Sequence, residues 1–310
     1  MIIDVHRHLV LKGTVQGAYI KGASRSFSMM YNKAHKTNLS PRTYIDEIMR
    51  KEMDQHADNV IEEMDKSGVD VSVTFAVDYG LAFGEAPVHI FDQNKLYAEI
   101  AQRHKGRMIP LIAIDPRRQG GPKHCDQAYQ EWGMRGFKLM PSAGFKPNDP
   151  LCFPFYEKCA AWGVPIMFHS GGLEFNWEYS SPNLIASAAE EFPDVKMIMA
   201  HAGLESWEQC RLACAALPNV FMDISIRQFD YQINRQKFYQ WFRDMIDWTG
   251  PWKILFATDA PLPTFYLPTR EWVEAIRNPK TDIKFSREEL DIILGRAAEA
   301  VFQQQRGART

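Results

Sequence analysis

The chain has 310 residues, 45% of them hydrophobic, which is enough to bury one large core. Lys+Arg (36) nearly balances Asp+Glu (38), leaving a formal charge of −2, so no basic face for nucleic acid is expected. No apolar run approaches the roughly 18 residues that span a bilayer, so no membrane partner is expected.

The start, Met1-Ile2-Ile3-Asp4-Val5-His6, lacks the layout of a secretory signal. The five cysteines (Cys125, Cys152, Cys159, Cys210, Cys214) are odd in number and have no framework spacing. Reduced thiols in a cytoplasmic protein are the simplest reading. Cys210 and Cys214 read as packed apolar thiols on a helix.

In chain order, short apolar runs rich in β-branched residues read as strands at Ile2–His6, Val69–Ala76, Met108–Ile114, Gly136–Met140, Pro165–His169, Lys196–His201, Val220–Ser225 and Lys253–Thr258. Most are continuous rather than alternating, as in parallel strands covered by helices. Helical patterns fill the gaps. Pro41–Lys66 stops before Gly68, and Asp92–His104 stops before Gly106. Asp149-Pro150 supplies an N-cap and an N1 proline for a helix ending near Gly163. Ser206 with Gln209, and Ser286 with Glu289, fit capping boxes, and the second opens a helix running to about Gln305. The reading is a single α/β domain over residues 1–310, a (β/α)8 TIM barrel. Leu9–Ser40, with no clear period, is expected to be an inserted loop after the first strand that serves as a lid.

Ionisable residues recur at the ends of these strands. His6 and His8, two apart, share a face, with Asp4 one step deeper where it would orient a ligand histidine. His169, His201 and Asp259 each follow a buried run. In a barrel, strand ends meet at one mouth, so five such groups predict a metal centre. The remaining histidines (His35, His56, His89, His104, His124) read as non-ligands.

The chain resembles the amidohydrolase superfamily, in its amidohydrolase-related branch, which includes aminocarboxymuconate semialdehyde decarboxylase, resorcylate-type decarboxylases and assorted hydrolases. The matching segments are Ile3-Asp4-Val5-His6-Arg7-His8, Arg135-Gly136-Phe137-Lys138-Leu139-Met140-Pro141, Phe168-His169-Ser170-Gly171-Gly172, Phe192-Pro193-Asp194-Val195 through His201-Ala202-Gly203, Pro218-Asn219-Val220 through Ser225, and Leu255 through Pro261. The resemblance implies that His6, His8 and His169 ligate a divalent metal, with Asp259 as ligand or partner of its water. It implies that His201 stands just off the metal as an acid/base or orienting group. Zn2+ is the expected ion, with Mn2+ the alternative. Two departures stand out: Thr258-Asp259-Ala260 replaces the commoner Ser-Asp-Trp/Tyr, and Met140 replaces a common histidine. Lys138, a bridging carboxylated lysine in binuclear relatives, is read as a neutralising partner inside the barrel.

The expected activity is metal-dependent hydrolysis of a small carboxylated ester, lactone or amide, with catalytic His201 and Asp259. The segment Phe168-His169-Ser170-Gly171-Gly172 favours hydrolysis, because several decarboxylase relatives carry a proline or bulkier group just after the histidine. The alternative is nonoxidative decarboxylation of an aromatic or unsaturated acid. A non-catalytic barrel would have lost ligand-type residues, and none is lost. The expected partner is a small-molecule carboxylate. Arg227 suits a carboxylate, while Trp177, Tyr179, Tyr266 and Phe229 could wall a flat substrate. Relatives of this kind are often homodimers.

Overall fold

The computed structural model describes residues 1–172 and 175–303. Among the described residues there are nine parallel strand segments: β1 (Ile3–Arg7), β2 (Val71–Thr74), β3 (Met108–Pro110), β4 (Ile112–Ala113), β5 (Phe137–Leu139), β6 (Ile166–Phe168), β7 (Met197–Met199), β8 (Val220–Asp223) and β9 (Ile254–Leu255). They pair in sequence order as β1-β2-β3 and β4 through β9. Every strand read from the sequence is present, though the third is split. Pro110, which has no N–H to give, ends β3. At the break Leu111 N donates to Thr74 O (2.9 Å) and Ile112 N to Gly136 O (2.8 Å), so the stave passes from one neighbour to the other. The cylinder closes where Val5 N meets Phe256 O (3.0 Å), Asp259 N meets His6 O (2.7 Å) and His8 N meets Ala260 O (2.9 Å).

The helices are α1 (Gly17–His35), α2 (Pro41–Glu47), α3 (Asp58–Ser67), α4 (Gly80–Phe83), α5 (Ile90–Arg103), α6 (Gly121–Gln130), α7 (Phe153–Trp162), α8 (Pro182–Glu191), α9 (Trp207–Ala216), α10 (Gln228–Ile233), α11 (Arg235–Thr249), α12 (Thr269–Arg277), α13 (Arg287–Asp291) and α14 (Ala297–Phe302). Three expectations need correction. Leu9–Ser40 is not a loop: α1 occupies most of it, and Tyr19, Ala23, Phe27 and Met30 form its apolar stripe at helical spacing. Pro41–Lys66 is not one helix but α2, a short 3-10 turn and α3, broken near Ala57, whose φ is +57°. Ser206 makes no cap, its hydroxyl turning to Glu205 Oε1 (3.3 Å). The Ser286/Glu289 capping box forms as read. The helix that follows passes through a π turn and is described to Phe302, and the expected end at Gln305 lies outside the described residues.

Two apolar layers follow from strand alternation. Val5, Val73, Leu111, Met167, Ile198 and Leu255 face inward and pack with Ile292 and Val301. Their neighbours Phe137, Ile166, Phe168, Met197 and Met222 face outward under the helices. All five cysteines are buried and unbridged, as expected of packed thiols. No helix among the described residues is long and apolar enough to cross a membrane.

On the side of β4 that β2 has left, a side chain replaces the missing strand. Asn94 of α5 accepts from Ala113 N and donates to Ala113 O, both at 2.9 Å. His124 Nε2 lies 3.1 Å from the same amide, and burial pushes its pKa down to about 4, keeping it a neutral acceptor. Asn94→Ala would strand two buried backbone groups, so it should cost about 2–3 kcal/mol in urea unfolding. An unchanged midpoint would show that the break is satisfied in some other way.

Candidate metal centre and active-site cavity

The strand ends assemble the cluster through local irregularities. A register shift lies between Asp4 and Arg7 in β1. A bulge of this kind places two successive residues on one side. Val5 therefore stays in the inner layer while His6 and His8 both line the cavity. The same shift overturns the expected role of Asp4. Its carboxylate accepts from Thr258 N (2.9 Å), Thr258 Oγ1 (2.6 Å) and Arg7 Nε (3.2 Å), stitching β1 to the strand end at Asp259. At two other strand ends the backbone turns left-handed, with His201 at φ +60° and Asp259 at φ +54°. Such conformations cost energy in non-glycine residues and persist where the surroundings hold them.

Asp223, at the end of β8, takes the orienting role. Its Oδ2 accepts from His6 Nδ1 (2.9 Å), and its Oδ1 accepts from His201 N (3.0 Å) and the Ser225 hydroxyl. The proton positions follow from this network. Ser225 gives its proton to Asp223, so Ser225 Oγ accepts from His201 Nδ1 (2.8 Å). His201 Nε2 then carries a lone pair and accepts from His169 Nδ1 (3.2 Å). His169 Nε2 is left with a lone pair, buried and without a hydrogen-bond partner. His6 spends its Nδ1 proton on Asp223, and His8 spends its own on Phe75 O (3.3 Å).

Two imidazole lone pairs therefore converge on one carboxylate oxygen. His6 Nε2 lies 3.3 Å and His8 Nε2 3.1 Å from Asp259 Oδ1. Acceptors facing acceptors at this range repel unless a proton or a metal cation lies between them, and three imidazole nitrogens with a carboxylate are a donor set that fits a divalent ion. Ligand atoms of His6, His201 and Asp259 all lie within 4.8 Å of one another, a group among the described residues that includes His201, which the sequence set just off the metal, and leaves out His8 and His169. Burial, then the Lys138 ammonium, hold His6 well below its ordinary pKa and His169 down to about 3. Burial and the neighbouring imidazoles do the same to His201. Neutral imidazoles are the form that ligates metal.

Above the cluster lies a cavity of about 520 Å3. Tyr19, Tyr79, Phe83 and Phe175 form one aromatic wall, with Tyr19 stacked on Tyr79 at 4.9 Å. Phe229 and Tyr266 form another, edge to face at 4.7 Å. The lid expectation survives in helical form. Tyr19, Ala23, Phe27 and Met30 of α1 line the cavity, and α1 is pinned across the mouth by His35 Nε2 to Phe265 O (2.5 Å).

Of the five sequence-proposed substrate contacts, Phe229 and Tyr266 line the cavity, and Arg227, Trp177 and Tyr179 do not. Arg227 is committed to structure. Its guanidinium bonds Asp230 Oδ2 (2.9 Å), Ala202 O (3.2 Å) and Leu204 O (2.8 Å), clamping the left-handed turn after His201. Trp177 is 56% exposed and covers Gly172, while Tyr179 lies under the Lys146 ammonium at 5.6 Å. Sequence reasoning missed Asp223, whose signal was a carboxylate ending a strand, and the wall formed by Tyr79 and Phe83 after β2.

The family model described as amidohydrolase matches residues 3–304. No curated protein matches the sequence significantly. Among solved structures, 5-carboxyvanillate decarboxylase LigW from Sphingomonas paucimobilis aligns with a TM-score of 0.68 at 14% identity, covering 97% of this chain and 98% of that one. A dihydroxybenzoic acid decarboxylase from Polaromonas sp. JS666, solved with bound manganese and 2-nitroresorcinol, gives 0.68 at 15% identity, covering 99% and 98%. A 4-oxalomesaconate hydratase, LigJ, from Rhodopseudomonas palustris gives 0.59 at 18% identity, covering 97% and 95%. At these identities the likeness establishes the shared barrel fold.

The buried imidazoles carry a pH signature. Below an ordinary histidine pKa of 6.5, the unfolded chain takes up protons that folded His6, His169 and His201 refuse. Stability of the metal-free protein should be full above that pH and fall as pH drops towards about 3, the value for His169. Each group should contribute up to about 1.4 kcal/mol per pH unit. Urea midpoints between pH 7 and 5 test this, and a flat profile would show that the imidazoles are not held neutral.

Proposed function

Because this chain belongs to the amidohydrolase family, we propose that it is a metal-dependent carboxy-lyase acting on a small aromatic or unsaturated acid without an oxidant. The observation that carries this reading is the convergence of imidazole and carboxylate lone pairs at the base of an aromatic-walled cavity. The decarboxylases among the structural neighbours support it.

The hydrolytic expectation loses its particular support. Gly171 sits at φ +84°, where a Cβ would stand 2.5 Å from Gly203 O. A Cβ on Gly172 would stand 2.5 Å from the Trp177 ring. Packing therefore accounts for the two glycines of that segment, which carry no support for hydrolysis of a carboxylated ester, lactone or amide.

His6, His8, His169 and Asp259 would hold the ion, zinc or manganese, with His201 beside it. A bound divalent cation would supply a Lewis acid that draws electron density from the substrate's oxygens. The aromatic walls hold the substrate flat, and α1 excludes water. Asp259 takes a proton from solvent at the mouth and delivers it to the carbon that loses its carboxylate. The carbon–carbon bond breaks, its electron pair stays on that carbon and accepts the proton, and carbon dioxide leaves. His201, fixed through Ser225, orients His169.

A panel of aromatic and unsaturated acids, scored for CO2 release, tests the reaction. Carbon dioxide without water consumption is expected, and hydrolysis of an ester, lactone or amide panel without CO2 would reverse the assignment. Asp223→Asn turns one of the two acceptor oxygens into a donor, so His6 on one side and His201 N with Ser225 on the other can no longer both be served, and metal binding should weaken roughly 10–100-fold in chelator competition. Unchanged affinity would remove Asp223 from the site. His201→Ala should keep the metal and lose turnover, and loss of the metal would make His201 a ligand.

A further inference from the structure

Lys138 has so far entered only as a positive charge that helps keep His6 and His169 neutral. It sits at the middle of β5, where Phe137 and Leu139 point outward, and so faces the barrel interior beside the stave that carries His169. It is 2% exposed, yet it lines the cavity. Its ammonium lies 4.8 Å from the centre of the Phe75 ring, the ring that also packs against His6 and His8. Among the described lining residues it is the one Lys or Arg side chain. The guanidiniums of Arg117, Arg118 and Arg227 do not line the cavity. Arg118 is held by Asp78 and Glu85, Arg117 by Asp115, and Arg227 by Asp230.

A lysine at an inward position of a closed barrel is a costly filler, because methionine would occupy the same volume without a charge to desolvate. Its location explains the choice. The positive charge stands next to the imidazole cluster in a chamber walled mainly by aromatic and aliphatic side chains, whose described lining also holds the carboxylates Glu52 and Asp259 and the amides Gln16 and Gln93. A lysine's compact charge with three rotatable donors suits an anionic oxygen approaching from several angles.

We propose that Lys138 anchors the substrate through one carboxylate oxygen and thereby selects small, flat, singly charged acids over their neutral isosteres. This rests on reading the cavity as a site for a small carboxylate. In this assignment Lys138 is a binding residue for the substrate, neither a metal ligand nor only an internal counter-charge.

Calorimetric binding of benzoate and of benzamide to the metal-loaded protein tests the proposal without requiring turnover. The wild type should prefer the acid by roughly tenfold or more, as expected for one charge-assisted hydrogen bond. Lys138→Met should bring that ratio close to one, with benzamide affinity and metal content unchanged. A persistent acid preference in Lys138→Met would assign the carboxylate to the metal and overturn the proposal. Loss of metal in that variant would also overturn it, by making Lys138 part of the metal centre. If Lys138→Met does not fold, Lys138→Gln carries the same comparison. The wild type alone overturns the proposal if acid and amide bind alike. Failure of the decarboxylase reading would appear separately, as absence of CO2 from the acid panel while the acid preference stands.

Discussion

One carboxylate sets the chemistry of this molecule. Asp223 is acceptor-only, and it takes hydrogen bonds from His6, from the Ser225 hydroxyl and from the His201 backbone. That choice propagates through His201 to His169 and leaves an unpartnered Nε2 there. With His8 tied to Phe75 O, the lone pairs of His6 and His8 are turned on Asp259. Exchanging any proton in this chain would place a donor where a cation is needed. The cation-binding character is thus fixed by groups behind the ligands as much as by the ligands.

The barrel supplies the precision. Strands that pair in sequence order deliver their ends to one rim, and the inner apolar layer fixes their height. The side chains that matter leave the regular pattern just there. β1 shifts register between Asp4 and Arg7, and the backbone turns left-handed at His201 and Asp259. These departures are held by Arg227 under the His201 turn and by Asp4 against Thr258. Two residues that looked functional in the sequence are therefore the supports that make strained functional positions possible.

Much of this was legible in the sequence. Continuous apolar runs alternating with amphipathic ones gave the barrel, because parallel strands buried on both faces carry that pattern. Ionisable residues after such runs marked the site, since burying them without partners is unfavourable. The illegible parts have identifiable causes. α1 was hidden by Gly17, Gly22 and several serines, although Tyr19, Ala23, Phe27 and Met30 kept a helical spacing. Asp4 was misread because a bulge cancels strict alternation, and a register shift has no local sequence mark. Arg227 was misread because its partners Ala202 and Leu204 are backbone carbonyls, which sequence cannot show. The close approach of Gly203 and Trp177 to the two glycines after Ser170 is likewise a tertiary fact that the sequence does not show.

The central claim is spatial, so the direct test is a crystal grown with manganese and measured for anomalous scattering. One peak is predicted, at coordination distance (about 2.0–2.3 Å) from Nε2 of His6, His8 and His169 and from the Asp259 carboxylate. A peak outside this group, or none at full manganese loading, would contradict the account.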